Sequence, residues 1–284
     1  MALVMIAALL VAALFVLFKS FEHRNVPLLP AIVVNYITAL VCGLIVSRPW
    51  AAGDLSLLWT PSLLLSFLFV SVFFLTGRSA QLAGVAPTTV ASKMSLVLTV
   101  VFSVVVFKEE PGALGWAGIA LALVGVVLSS WGGDEHARGS AWALPVLLFL
   151  GNAAVDIGIN VTQKMRTTPM TEAVFPTIVF GFAGMLGLVW VLARGEQQAF
   201  RDPRTWIGGV LLGSVNYGSL YFVVKALAGS GLPSSSVFPL MNIGVILFGS
   251  LASAVLFKER PRPVHLAGIG VSVLALLLIM SAHA

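Results

Sequence analysis

Residues 107–128 read FKEEPGALGWAGIALALVGVVL, and residues 257–278 read FKERPRPVHLAGIGVSVLALLL. At an offset of 150 the two stretches share Phe107/Phe257, Lys108/Lys258, Glu109/Glu259, Pro111/Pro261, Ala117/Ala267, Gly118/Gly268, Ile119/Ile269 and Leu128/Leu278, eight identities in 22 positions. Apolar helices resemble one another readily by chance, but a shared Phe-Lys-Glu-x-Pro at a loop does not arise that way. Upstream, Phe74 and Arg78 align with Tyr221 and Lys225 at an offset of 147. A period of about half the chain makes two related halves the first reading.

Working outward from the repeat, apolar runs fill the chain. Of 284 residues, 59% are hydrophobic and 10% charged, where a soluble domain carries roughly 25% charge. Mean hydropathy is +1.03. So few charges exclude a soluble protein of this size, and disorder needs the opposite composition. Continuous runs such as Leu186–Leu192 and Leu274–Met280 suit helices rather than the alternating strands of a membrane barrel. A span needs about 20 mostly apolar residues, and ten segments qualify, near 2–18, 28–47, 60–81, 85–107, 113–131, 141–163, 170–193, 205–228, 233–257 and 263–281. The longest connectors, 132–140 and 194–204, leave no room for a soluble domain. The first span has no basic leader before Lys19 and has a counterpart in the second half, so it reads as a retained helix and not a signal peptide. A first repeat over 1–138 and a second over 139–284 each hold five spans. Five is odd, so the second repeat enters the membrane inverted. The expected fold is an all-α polytopic membrane protein with ten transmembrane helices as two inverted five-helix repeats, an architecture of secondary transporters with the substrate between the halves. The competing reading is an accidental repeat in a structural membrane protein.

The two segments LTVVFSVVVFKEEPGALGWAGIALALVG and FPLMNIGVILFGSLASAVLFKERPRPVHLAGIGVSVLAL make the chain similar to the EamA-like branch of the drug/metabolite transporter superfamily. Glu109 and Glu259 match that family's loop Glu, Gly118 and Gly268 its following Gly, and Pro239 its mid-helix Pro. The first half departs from the pattern with Thr89 where the Pro is expected, so the halves are not interchangeable. The resemblance implies ten helices, a central cavity lined by the first four helices of each half, and transport of small metabolites, often export.

Polar residues inside the spans point to the cavity. Of the 27 charged residues, only Lys93 and Asp156 sit well inside a span, and a mid-bilayer charge costs about 2.5–3.5 kcal/mol by insertion scales. In the sixth span Asn152, Asp156, Asn160 and Gln163 fall at i, i+4, i+8 and i+11, on one helical face that must meet protein or water, not lipid. The first span, its repeat partner, has no such stripe. Single polar residues near mid-depth add Asn35 with Tyr36, Asn216 with Tyr217, and Asn242. The candidate cavity is therefore Asn35, Tyr36, Lys93, Asn152, Asp156, Asn160, Asn216, Tyr217 and Asn242. Each of these residues also has a structural reading, as a hydrogen bond across helices or, for Lys93 with Asp156, an ion pair that sets register. Two functional roles are open for that pair. Lys93 can attract a substrate carboxylate or phosphate, and Asp156 can carry a coupling proton. Ala91, Ser95, Thr99 and Ser103, and Gly181, Gly184 and Gly187, read as small-residue rows for close helix approach. Pro239 and the glycines would let helices bend at a gate.

No HExxH, GxxxxGK[ST], GxSxG or Cys/His cluster is present, and His23, His136, His265 and His283 lie in loops or at span ends, so neither an enzyme, a metal nor another cofactor is expected, and ATP is not expected to drive transport through this chain. Lone Cys42 allows no internal disulfide. The net charge of +5 is a property of loops beside spans, and no run of five basic residues suggests nucleic acid. The expected partners are a small-molecule substrate and the lipid bilayer, with proton or counter-substrate coupling open and the protein a monomer or homodimer in the bacterial inner membrane. A flippase of a lipid-linked carrier is the alternative function on the same scaffold, and a non-transporting structural subunit the third. Connectors after odd-numbered spans carry ten basic residues, the others five, which places both termini outside by the positive-inside rule, whereas the family resemblance places them inside.

Overall fold

The structure, a computed structural model, describes residues 1–82, 92–93, 95–110, 112–130, 143–256 and 263–281. These form ten α-helices: α1 Ala2–His23, α2 Leu28–Ser47, α3 Ser56–Leu82, α4 Leu96–Phe107, α5 Gly112–Ser130, α6 Ala143–Arg166, α7 Val174–Ala193, α8 Pro203–Gly229, α9 Ser234–Leu256 and α10 Pro263–Ser281. Ser92 and Lys93 are also helical. By length and composition, α1, α2, α3, α7 and α8 are each able to cross a membrane, and α4, α5 and α9 contain shorter apolar stretches. The protein is an all-helical, integral membrane protein. Outside the described residues lie Thr89, Ala91, Pro111, the connector 132–140 with His136, the second Phe-Lys-Glu-x-Pro motif at 257–262, and His283.

Several helices begin and end where local chemistry dictates. The Asp202 side chain accepts from Arg204 N at 2.9 Å, and Pro203 at the first helical position of α8 has no N–H to satisfy. At α3, Asp54 accepts from both the N and the Oγ of Ser56 at 2.8 Å, and these bonds hold the exposed carboxyl below its ordinary range. Gly195 follows α7 with φ +69°, a left-handed conformation that glycine adopts without steric cost. The helices overrun the apolar runs of the sequence. The α1 helix continues through Lys19 to His23, because the aqueous boundary changes the side-chain solvent but not the backbone hydrogen bonding.

Between the helices, α2 packs on α7 and α8, α3 on α6 and α7, α1 on α8 and α9, α4 on α6 and α9, and α5 on α10. Exchanging helix n with helix n+5 turns α1·α8 into α3·α6, α2·α8 into α3·α7 and α1·α9 into α4·α6. The pairs α2·α7, α4·α9 and α5·α10 map onto themselves. In lipid, helix association relies on close packing and interhelical hydrogen bonds, so small residues mark the tightest seams. A Cβ at Gly209 would come within 2.8 Å of the Ala31 carbonyl oxygen, and one at Gly187 within 3.1 Å of Val33. In the same way Gly151 and Gly158 bring α6 against Val72 and Leu65 of α3. Large apolar side chains such as Leu64, Phe67, Val105 and Val189 stay exposed on the outer surface, as a lipid-facing surface requires.

Candidate functional site

Six segments line a cavity of about 150 Å³: α1, α3, Ser92–Lys93, α6, α8 and α9. The walls are largely aromatic and aliphatic, with Phe15 and Phe18 from α1, Phe69 and Phe73 from α3, and Val155 and Ile159 from α6. Its polar lining is Thr76, Ser92, Lys93, Asn152, Asp156, Asn216, Ser219 and Asn242. The cavity therefore carries one cationic and one anionic side chain inside an apolar shell.

Lys93 is 7% exposed. Its Nζ donates to Asn242 Oδ1 at 2.9 Å and lies 5.8 Å from the centroid of the Phe15 ring, within cation–π range. Such a bond leaves ammonium donors for a ligand. Asp156 shares the cavity, and among the described residues it makes no hydrogen bond and no direct ion pair with Lys93. The two side chains of opposite charge thus line one cavity. Asn152 Nδ2 donates to the Leu148 carbonyl at 2.7 Å and to Ser92 Oγ at 3.4 Å. Asn216 Nδ2 donates to Asn35 Oδ1 at 3.1 Å.

Of the nine residues expected from the sequence, the cavity brings together Lys93, Asn152, Asp156, Asn216 and Asn242, and it does not reach the other four. Asn35 is fully buried between α2 and α8, where it orients Asn216 from behind. Tyr36 stacks on Phe180 with centroids 6.0 Å apart, and Phe180 in turn meets Tyr217 at 6.4 Å. The two tyrosines belong to an aromatic core beside the cavity. Residues adjacent in a helix point about 100° apart, so Asn216 and Tyr217 divide between the two environments. Asn160 lies one turn beyond Asp156, and its Nδ2 donates to Ser103 Oγ at 3.0 Å. The polar stripe of α6 is one face, but the cavity ends part of the way along it.

The sequence reading missed Thr76, Ser92 and Ser219, whose hydroxyls carry no charge to mark them. Ser219 lies one turn after Asn216, a spacing that could have found it. It also missed the four Phe residues, which in a chain with 18 Phe carry no signal of their own.

Residues 1–131 match the EamA-like transporter family. Over 276 residues the chain is 26% identical to an uncharacterised protein of Haemophilus influenzae, covering 93% of this chain and 92% of that protein. A solved crystal structure superposes with a TM-score of 0.72 at 14% identity, covering 99% of this chain and 98% of that one. At that identity the likeness concerns the fold alone.

Proposed function

We propose that this integral membrane protein, an EamA-like transporter by its first 131 residues, is a secondary transporter that moves a small polar or anionic metabolite by alternating access, in the export direction, across a bacterial inner membrane. The observation that carries the reading is the placement of Lys93 and Asp156 in one cavity built by helices of both halves. Charges in an apolar shell are expensive to maintain, and a substrate that brings a carboxylate or phosphate to Lys93 recovers part of that cost. Asp156 then meets a cationic group of the substrate or a coupling proton. The helix pairings preserved when each helix is exchanged for the one five places on support a two-fold scaffold able to rock about the cavity.

The test is transport by purified protein in liposomes, against a panel of small carboxylate- and phosphate-bearing solutes. Gradient-driven movement of a soluble solute is expected, and Lys93→Ala and Asp156→Asn should each lower its initial rate at least about tenfold while inserting and folding normally, since tenfold corresponds to about 1.4 kcal/mol. Movement only of lipid-linked headgroups would identify a flippase instead. Unchanged transport by both variants would remove the pair from the site.

A further inference from the structure

Resting on the transporter reading, we propose that Glu109 is the latch of a gate that closes one end of the cavity, and that the gate opens when the first turn of α9 parts from the loop between α4 and α5. Glu109 lies in that loop, in the first half of the chain. Its carboxylate pairs with Lys164 at the end of α6. The same carboxylate accepts from the first backbone donors of α9, Ser234 N at 3.3 Å and Ser235 N at 2.8 Å, and from Ser234 Oγ at 2.6 Å. Both α6 and α9 belong to the second half. The first N–H groups of a helix have no partner within it, and an anion there is favoured by the helix dipole. A side chain from one half thus caps a helix of the other. Lys108, whose φ of +53° lies in the left-handed region, turns the chain out of α4 just before the carboxylate.

Beneath this cap the polar contacts continue inward. Ser234 Oγ lies 3.3 Å from Ser103 Oγ, and Asn160 Nδ2 donates to the same Ser103 oxygen at 3.0 Å. Asp156, on the cavity, lies one further turn along α6. Glu109, Ser234, Ser103 and Asn160 therefore form a plug between the membrane surface and the cavity, with Lys164 as its lid. The Glu109 side chain is 9% exposed against 30% for Lys164.

Two features fit a plug that opens. Pro239 has no N–H to give to the carbonyl of Ser235, so the first turn of α9 lacks one of its holding bonds. Asn160 Oδ1 and Gln163 Oε1 on α6 and Ser236 Oγ on α9, helices bridged here by Ser103 and Glu109, are buried without a partner among the described residues. A buried unpaired polar atom costs about 1–3 kcal/mol, so parting α9 from the Glu109 loop can return to water groups that the closed plug leaves unsatisfied. Burial raises the Glu109 carboxyl, but the bonds from Lys164, Ser234 and Ser235 outweigh it and hold the group ionised, below its ordinary range. The latch is therefore set whenever the surrounding medium is near neutral.

The experiment uses the full chain in liposomes and reads access, not transport. In a Cys42→Ala background, Ser219→Cys places one thiol on the cavity, and a membrane-impermeant maleimide is applied on the side of the loop holding Glu109. Labelling should be slow, and Glu109→Gln or Lys164→Gln should each speed it about tenfold, the effect of losing one charge-assisted bond. Lys164 is exposed, so its variant folds even if that of Glu109 does not. A second arm pairs Glu109→Cys with Ser235→Cys. Oxidation should cross-link them and block labelling of the Ser219→Cys thiol itself, read on the peptide that contains it, with reduction followed by removal of the reductant restoring it. Rapid labelling of the intact latch, or no acceleration in either variant, overturns the proposal. So does undiminished labelling after a cross-link confirmed by gel mobility. Because no substrate is needed, these outcomes are separate from failure of the liposome transport assay.

Discussion

Gly213→Ala tests the seam between α2 and α8. A Cβ at position 213 would sit on the carbonyl oxygen of Asn35, 2.7 Å from Thr38 Cβ and 3.0 Å from the Asn35 carbonyl carbon. Ordinary contact begins at 3.4 Å, so clearing the Asn35 carbonyl oxygen requires α2 and α8 to separate by about 1 Å at this point. Backbone atoms cannot step aside as a flexible side chain can. The Asn216–Asn35 hydrogen bond lies one turn away at 3.1 Å, and the same displacement carries it beyond bonding distance. Overpacking costs about 1–3 kcal/mol, and the lost interhelical bond about 0.6 kcal/mol. The gain in helix propensity returns about 0.5–1 kcal/mol. The net is a loss of about 1–3 kcal/mol, which lowers the melting temperature in detergent by about 3–10 °C. Gly249→Ala is the matched control. It lies within α9 with nothing within 4 Å of its added Cβ, so only the propensity gain applies and its melting temperature should rise or stay level. If Gly213→Ala melts at or above the wild-type temperature, the close approach is wrong. If both variants fall equally, the effect belongs to any helical glycine and not to this seam.

Asn242→Leu removes the acceptor of the Lys93 ammonium and should cost about 1.5–3 kcal/mol, while Asn242→Asp keeps an acceptor there; calorimetry on the pair checks this, and a Leu variant as stable as wild type refutes it. Glu109 gives a pH dependence of definite sign. Its folded carboxyl titrates below the ordinary 4.5, so its contribution is complete above that pH and is lost as pH falls through the folded value. Between neutral pH and the acid limit, wild type should lose more melting temperature than Glu109→Gln, and parallel curves would remove the linkage.

The fold was legible because a membrane leaves few choices. Apolar runs of the right length declare helices, and each described α-helix falls on one of them. The cavity lining was legible where a charge or a helical spacing made a residue costly or periodic, as with Lys93, Asp156 and Asn152. It was not legible for Asn35, Tyr36, Asn160 and Tyr217, because a polar residue buried against another helix and one facing a cavity have the same one-dimensional signature. What separates Asn216 from Tyr217 is 100° of helix rotation, set by the glycine seam between α2 and α8. Glu109 was visible as a motif residue, but its contacts depend on which helix ends meet, and that is tertiary information.

The Lys93–Asn242 contact limits how much positive charge this part of the cavity can hold. Lys93 Nζ donates to Asn242 Oδ1 at 2.9 Å, and both side chains are buried on the cavity. A lysine at both positions would place two ammonium groups about 3 Å apart, a repulsion of about 5 kcal/mol at an effective dielectric constant near 20. One lysine and one amide keep a single positive charge there and hydrogen-bond it. Asn242→Lys alone should therefore destabilise the protein severely, and adding Lys93→Asn should restore most of the loss, because the exchange returns one ammonium and one amide acceptor to the contact. Thermal unfolding of the single and double variants measures this directly. If the double variant is no more stable than Asn242→Lys alone, charge repulsion at this contact is not the cause of the loss.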